Sequence, residues 1–374
     1  MKKVVVLGCG MVGSVIAADL SKKYKVTVVD KNENNLRILS TVYSVKTLTA
    51  DLSAKKEIKN IIKDCDLVIG AVPGFMGFET LKTVIEAGKN IVDISFFPED
   101  AFLLDDLAKQ NNVIAVVDAG VAPGMSNFIL GYHNQKMSVK KFECFVGGLP
   151  FKRTLPYEYK APFSPIDVLE EYTRPARLVE NGKIVVKPAL SEAELIEVEN
   201  VGTLEAFNTD GLRSLLQTMK IPEMKEKTMR YPGHIEKIKL LRDTGFFGTD
   251  KIEINGAKIS PMALTSHLLL SHWKLEENEP EFTSMIIKIV GTENGKFRKY
   301  IYRLFDRFDE KTGFSSMART TGFACTSIAN LVLEGDFTKK GISPPEFVGA
   351  DEKCFSKVLN YQKQRKIIYR RSSE

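Results

Sequence analysis

The chain has 374 residues, 44% of them apolar and 27% charged, with a formal net charge of +6. That length predicts two domains, each large enough for its own core, in an ordinary globular composition. So modest a charge implies no nucleic acid, and no apolar run approaches the roughly 20 residues of a membrane span. Five scattered cysteines with no C-x-x-C pair argue against zinc and against a disulfide framework, and they suit a reducing cytoplasm. No apolar leader precedes the first strand, so a cytoplasmic protein without a membrane partner is expected.

The opening thirty residues carry the strongest pattern. Val4-Val5-Val6-Leu7 reads as a strand, Gly8-Cys9-Gly10-Met11-Val12-Gly13 as a turn and Ser14 to Lys23 as a helix. Lys25 to Asp30 is a second strand, and it ends in an acid 17 residues beyond Gly13. A G-x-G-x-x-G turn placed between strand and helix, with such an acid, is a dinucleotide fingerprint. Gly8 permits the tight turn, Gly10 lets a pyrophosphate approach, and Gly13 lets the helix sit close to the strand. The diphosphate then rests on the first amides of the helix, around Met11 and Val12, at its positive dipole end. Asp30 is placed to bind the ribose hydroxyls and to repel a 2′-phosphate, which selects NAD over NADP; Lys31 beside it softens that choice.

Strand and helix then alternate. Strands are expected at Val45 to Asp51, Asp66 to Val72, Asn90 to Ser95 and Val113 to Asp118, with helices at 54–63, 83–87 and 101–110 between them. The pattern predicts an α/β Rossmann domain with a doubly wound parallel sheet. Ligands of such sheets lie beyond the carboxyl ends of the strands. That rule selects Asp51-Leu52, Ala71-Val72-Pro73-Gly74, Ser95, Asp118 and the following Ala119-Gly120.

Past Asp118 the pattern changes. Gly120 to Gly124 is a rigid turn, and a helix runs from Met125 to Tyr132. Strands and helices then mix, with Asn181-Gly182, Asn255-Gly256 and Asn294-Gly295 as hairpin turns. Helices are expected near 211–219, 234–243 and 261–273, and the basic stretch from Lys363 to Arg371 reads as a solvated helix end. The small-residue helix from Ser315 to Leu333 is expected to return to the first domain. The domains are therefore 1–127 for the dinucleotide, 128–314 for substrate and oligomerisation, and 315–374 as a returning helical segment.

Three polar stretches offer chemistry: 202–211, 228–234 and 319–322. Arg230 and Arg319 present planar donors for a carboxylate, and Arg319 stands out as a charge within a run of small apolar residues. His234, opening a helix after Pro232-Gly233, would be kept neutral by the helix dipole and suits a general base. Asp118 and Glu205 are the other candidate bases. His267 and His272 are five apart, which is wrong for two metal ligands on one helix face, and His133 has no companion at ligand spacing. No metal is expected.

Three long segments in order carry a family resemblance: Asp118 to Asn127, Val146 to Pro150 and Thr228 to His234. Together they resemble the saccharopine dehydrogenase superfamily. Ser164-Pro165, Glu170 to Arg177, Gly202 to Arg213 and Met317 to Phe323 are similar to its lysine 6-dehydrogenase branch. The resemblance implies a Rossmann domain with a smaller α/β mixed-sheet substrate domain, a homo-oligomer (dimer or higher) and oxidation at the ε-carbon of L-lysine. Products would be 2-aminoadipate 6-semialdehyde, ammonia and NADH. Arg230 and Arg319 would hold the α-carboxylate, with Asn208, Thr209 or Asp210 near the α-amine, and Thr320 and Ser95 are the further substrate-binding candidates. Saccharopine reductases carry an acid where this chain has Ala122, which favours a smaller substrate than saccharopine. Two other readings remain: a saccharopine- or carboxynorspermidine-type reductase joining an aldehyde to an amine, and a nucleotide-binding regulator without catalysis.

Overall fold

The computed structural model describes residues 1–162, 165–276 and 278–374, which fall into two compact units. The chain enters the first through β1 (Lys3–Leu7), α1 (Met11–Leu20), β2 (Lys25–Asp30), α2 (Glu33–Val42), β3 (Lys46–Thr49) and α3 (Lys55–Ile61). There follow β4 (Leu67–Gly70), α4 (Gly74–Glu86), β5 (Ile91–Asp93), α5 (Asp105–Gln110), β6 (Ile114–Val116) and α6 (Met125–Asn134). The second unit begins with β7 (Ser138–Pro150), α7 (Pro165–Thr173), β8 (Ala176–Glu180), β9 (Lys183–Lys187), β10 (Glu194–Val198) and β11 (Gly202–Asn208). It continues with α8 (Leu215–Thr218), β12 (Glu223–Arg230), α9 (His234–Asp243), β13 (Ile252–Ile254), β14 (Ala257–Ile259), α10 (Pro261–Trp273), β15 (Glu281–Glu293) and β16 (Lys296–Arg307). Within α11 (Ser316–Glu334) the chain returns to the first unit, where β17 (Gly341–Ser343), α12 (Pro345–Gly349) and α13 (Glu352–Gln364) lie. β18 (Arg370–Ser373) ends it in the second.

The first unit is built on a parallel sheet in the order β17-β6-β5-β4-β1-β2-β3. Its central strands β1 and β4 are apolar and almost wholly buried, because helices cover both faces of such a sheet. Parallel pairing puts every carboxyl end on one edge. Those ends are stitched by backbone bonds: Gly8 to Val29, Ala71 to Leu7, Ile94 to Gly70 and Ala119 to Asp93. The edge strand β17 was not foreseen, since three residues beside a glycine carry no legible period. The expected return of the small-residue helix is seen within this unit: Gly322 of α11 lies against Val15 of α1, close enough that an added Cβ would sit 3.0 Å from its side chain.

The second unit holds a mixed nine-stranded sheet whose longest path is β10-β11-β12-β7-β15-β16-β18, with β8 and β9 branching from β12. All three Asn-Gly turns have both residues at positive φ and close antiparallel hairpins, as their composition requires. Helices α9 and α10 run between the residues expected of them. Near 211–219 only the short α8 forms. The basic tail is not all helix: α13 stops at Gln364, and Arg370–Ser373 pairs with β16 as an exposed strand.

The unit boundaries differ from the expected 127 and 314. Helix α6 belongs to the first unit because Phe128 and Tyr132 stack on Phe355 of α13, with ring centroids 5.4 and 3.8 Å apart. No helix among the described residues is long and apolar enough to cross a membrane.

One buried charge braces the first unit. Asp19 of α1 accepts hydrogen bonds from Thr326 of α11 (2.8 Å), from Tyr361 of α13 (2.8 Å) and from Arg365 (2.7 Å). Burial alone would raise its pKa, but the Arg365 hydrogen bond and charge, with the two hydroxyls, bring it below the usual carboxylate value. A depressed folded pKa contributes stability that is present above the unfolded value of about 3.9 and is lost as pH falls through the folded one. Asp19→Asn should cost about 3 kcal/mol at neutral pH, as expected for a broken buried pair. In urea melts its loss relative to wild type should shrink below about pH 4; an undiminished loss there would contradict the assignment.

Candidate functional site

The glycine turn has the shape of a phosphate cradle. Gly8 has φ +114°, and a Cβ there would lie 2.2 Å from the Ala71 carbonyl oxygen. A Cβ on Gly13 would lie 2.3 Å from the Gly8 carbonyl oxygen, so strand, turn and helix touch through backbone alone. Gly10 is different. Its φ is −77°, open to any residue, and an added Cβ would meet nothing within 4 Å. The fold makes no demand for glycine at this position, but a close-approaching ligand would.

Gly10 caps α1 without a side chain, and the first turn holds no acid. The amides of Met11, Val12 and Gly13 precede the first intrahelical bond, from Ser14 to Gly10. These features fit the diphosphate of a dinucleotide.

Asp30 ends β2 beside this turn. Its carboxylate accepts from the Cys9 amide (2.6 Å) and from the Asn32 amide (2.8 Å), and Asn35 donates to the Cys9 carbonyl (3.1 Å). The acid therefore fixes the turn as well as standing at its rim. Lys31 is exposed. Asp51 is exposed too, its pKa lowered first by the Ser53 amide and hydroxyl and least by the Lys31 charge. Leu52, Val72 and Gly74 are buried, with Leu52 and Val72 in the core, while Ala71 backs the turn and Pro73 caps α4.

Two more strand ends share this edge. Ser95 is buried, and it donates from its amide and from its hydroxyl to Asp93 (3.1 Å each). Asp118 follows β6 in a left-handed conformation, φ +52°, which a non-glycine residue rarely adopts. Beyond Ala119, Gly120 meets Gly124 in a closed turn that leads into α6. Arg319 and Thr320 are buried in α11, where Arg319 donates to the Arg365 carbonyl (3.3 Å) and lies 5.6 Å from the Phe323 ring.

In the second unit, the structure joins Arg230 and His234 in one buried relay. Arg230 donates to Tyr172 through Nε (3.0 Å), to Glu171 (2.7 Å) and to the Met229 carbonyl (2.9 Å), and its guanidinium lies 4.4 Å from the Tyr159 ring. The Tyr172 hydroxyl meets His234 Nε2 at 3.0 Å, and His234 Nδ1 meets the Tyr157 carbonyl at 2.9 Å. A carbonyl only accepts, so Nδ1 carries the proton and Nε2 accepts from Tyr172. Burial, then the Arg230 charge, push the His234 pKa down to about 3. The expected neutrality holds, but it comes from burial beside an arginine more than from a helix dipole.

The remaining residues have local partners. Glu205 accepts from the Gly233 amide (3.2 Å) at the start of α9, and Asn208 donates to Ser191 and Glu192. Thr209 accepts from Thr228, and Asp210 takes a two-pronged grip from Arg177 (2.9 and 2.8 Å). Arg230 is thus countered from within by Glu171, and Asp210 by Arg177. Neither pairing is legible in the sequence, because the partners lie 59 and 33 residues apart in the chain. Asp93 was missed as well; a strand-internal acid in an apolar run was its only signal. Ser164, part of that resemblance, lies outside the described residues.

A parallel sheet with a dinucleotide turn at its carboxyl edge, followed by a mixed-sheet unit, defines a two-unit Rossmann-type protein. The chain belongs to the saccharopine dehydrogenase family: residues 4–116 match the saccharopine dehydrogenase NADP binding domain and residues 120–368 the saccharopine dehydrogenase C-terminal domain. It is 24% identical over 306 residues to an alpha-aminoadipic semialdehyde synthase of Arabidopsis thaliana, covering 75% of this chain and 28% of that one. It is 23% identical over 380 residues to a carboxyaminopropylagmatine dehydrogenase of Synechocystis, covering 94% of each. The chain thus spans between about a fifth and a half of the length of the semialdehyde synthases it matches. The structure of saccharopine dehydrogenase (L-Glu forming) from Saccharomyces cerevisiae shares the fold, with TM-score 0.82, 19% identity and full coverage of both chains.

Two predictions follow from this geometry. Gly10→Val should fold with an unchanged melting temperature yet bind reduced dinucleotide about 10- to 100-fold more weakly by fluorescence titration, the scale of an overpacked contact; Gly13→Val should lose stability instead. The low His234 pKa means that its contribution is full above the unfolded value of about 6.5 and is lost as pH falls toward the folded one. His234→Asn should therefore flatten the fall of stability between about pH 6.5 and 4, measured by denaturant titration at each pH. An unaltered slope would show that His234 protonates freely in the fold.

Proposed function

We propose that the chain is a nicotinamide-dependent oxidoreductase of carbon–nitrogen bonds, and that it oxidises the ε-amine of L-lysine to 2-aminoadipate 6-semialdehyde with release of ammonia. The observation that carries the class is Gly10, an open position at the start of α1 where the fold itself makes no demand for glycine. Family membership supports it, as do relatives named for dehydrogenase activity. The choice of lysine rests on the similar segments at 170–177, 202–213 and 317–323 and on Ala122.

When bound, the nicotinamide supplies the hydride acceptor. The protein's own work is to orient the amine, remove a proton and admit water afterwards. A lysine ammonium with an unperturbed pKa of about 10.4 must be deprotonated before its carbon releases hydride. Of the three candidate bases, His234 has both ring nitrogens engaged and Glu205 holds the Gly233 amide. Asp118 is the base we assign on position alone: it follows β6 on the same carboxyl edge of the sheet that carries the glycine turn. Arg319, buried in α11 of the unit that carries the glycine turn, is assigned to the α-carboxylate. The cofactor assigned is NAD, because the Asp30 carboxylate opposes a 2′-phosphate. The family description and relatives named for NADP(+) speak for the phosphorylated form. Assembly as a homo-oligomer belongs to the same proposal.

A second reading has one observation in its favour. The carboxyaminopropylagmatine dehydrogenase matches over 94% of each chain, which supports the alternative of a reductase that joins an aldehyde to an amine. It would turn over only with aldehyde, amine and reduced cofactor supplied together.

The deciding assay follows absorbance of the reduced ring with lysine, ornithine, saccharopine and diamines, each with NAD and with NADP. Reduction of NAD by lysine without added aldehyde is the expected result, and inactivity with lysine would refute it. Asp118→Asn should then lower kcat by about 10²-fold or more, the usual share of a general base, while Arg319→Met should raise KM more than it lowers kcat.

A further inference from the structure

Asp93 is fully buried at the carboxyl end of β5, and its surroundings are shaped for it. Gly70 on the neighbouring β4 has no room for a side chain, because a Cβ there would fall 1.9 Å from Asp93 Oδ1. Gly77 of α4 is similarly closed by Ser95 Cβ and Phe97, at 2.7 Å each. Burying a carboxylate costs far more than burying an amide or a hydroxyl. Two glycines therefore leave the space in which a buried acid sits.

What the acid does differently is fix a direction. Asp93 Oδ2 accepts the Ser95 amide, and Oδ1 accepts the Ser95 hydroxyl proton. A serine hydroxyl has one proton to give and two lone pairs. With its proton committed to a carboxylate, Ser95 Oγ can only accept from anything else. The Asp93 carbonyl also receives the Ala119 amide (2.9 Å), so the same residue anchors the chain directly after Asp118.

We propose that Asp93 is a positioning residue that turns Ser95 into a dedicated hydrogen-bond acceptor at the carboxyl edge of the sheet, selecting a ligand that presents an N–H donor. This deepens the proposed function and rests on it. Two sources share that chemistry: the amine of the substrate and the carboxamide of the nicotinamide. Asp93→Asn keeps the shape, but its amide can donate to Ser95 Oγ and so free the serine proton to point outward.

The test is a double-mutant cycle of Asp93→Asn and Ser95→Ala, with KM for the amine and Kd for the reduced dinucleotide as separate readouts. Asp93→Asn is expected to raise one of the two about tenfold, the scale of a charge-assisted hydrogen bond, and to have no effect in the Ser95→Ala background. A rise in KM identifies the amine as donor, and a rise in Kd the carboxamide. Equal effects in both backgrounds, or losses that track melting temperature alone, would overturn the proposal. If Asp93→Asn does not fold, Ser95→Ala alone decides, since unchanged KM and Kd would overturn it. Wild-type inactivity on every amine would instead be the failure of the oxidoreductase reading, and the Kd arm would still report on Ser95.

Discussion

The first unit depends on backbone touching backbone at the glycine turn. Side chains at Gly8 and Gly13 would drive into the Ala71 and Gly8 carbonyls, so β1, β4 and α1 meet only because both positions are bare. That contact aims the α1 amides along the carboxyl edge of the sheet, and Asp30 holds the turn there through the Cys9 amide. Everything proposed for the edge, from the Gly10 opening to Ser95 and Asp118, takes its position from this closure.

Both units hold buried charge by several partners at once, Arg365 among those of Asp19. In the first, Asp19 and Asp93 accept from neighbouring side chains or amides and so hold helices or strand ends in place. In the second, Arg230 sits among Tyr159 and Tyr172 with Glu171 as its counter-ion, and His234, beside Trp273, closes the chain of donors. Such networks are stable only when every member is satisfied, and removing one partner leaves a charge or an N–H with nothing to meet.

The local part of this architecture was legible in the sequence. The glycine turn, the alternating apolar strands and the three Asn-Gly hairpins each follow from a short-range rule that tertiary structure has no reason to override. α9 and α10 were readable from turn residues at their starts. Long-range pairings were not readable. Arg230 looked like a ligand-binding arginine because Glu171 lies 59 residues away, and Asp210 looked available because Arg177 lies 33 away. Periodicity reports which face of an element is buried, not which charge on another element waits there. Strand β17 was hidden for a related reason: three residues are too few to show a period, and their place is set by β6.

That late strand bears on how the molecule is made. Gly341 to Ser343 align beside Ile114 to Val116, with the main segment of the second unit, Val139–Met317, inserted between the two. A nascent polypeptide leaving the ribosome therefore carries the β6 flank of its Rossmann sheet open while the intervening unit is translated. An open flank is where strands from other molecules add on, and slow, non-local closure lengthens the interval of risk. Shortened transcripts ending before Gly341 would leave that flank without its native cover, making loss of the far terminus as damaging to the dinucleotide lobe as a lesion in its own opening strand.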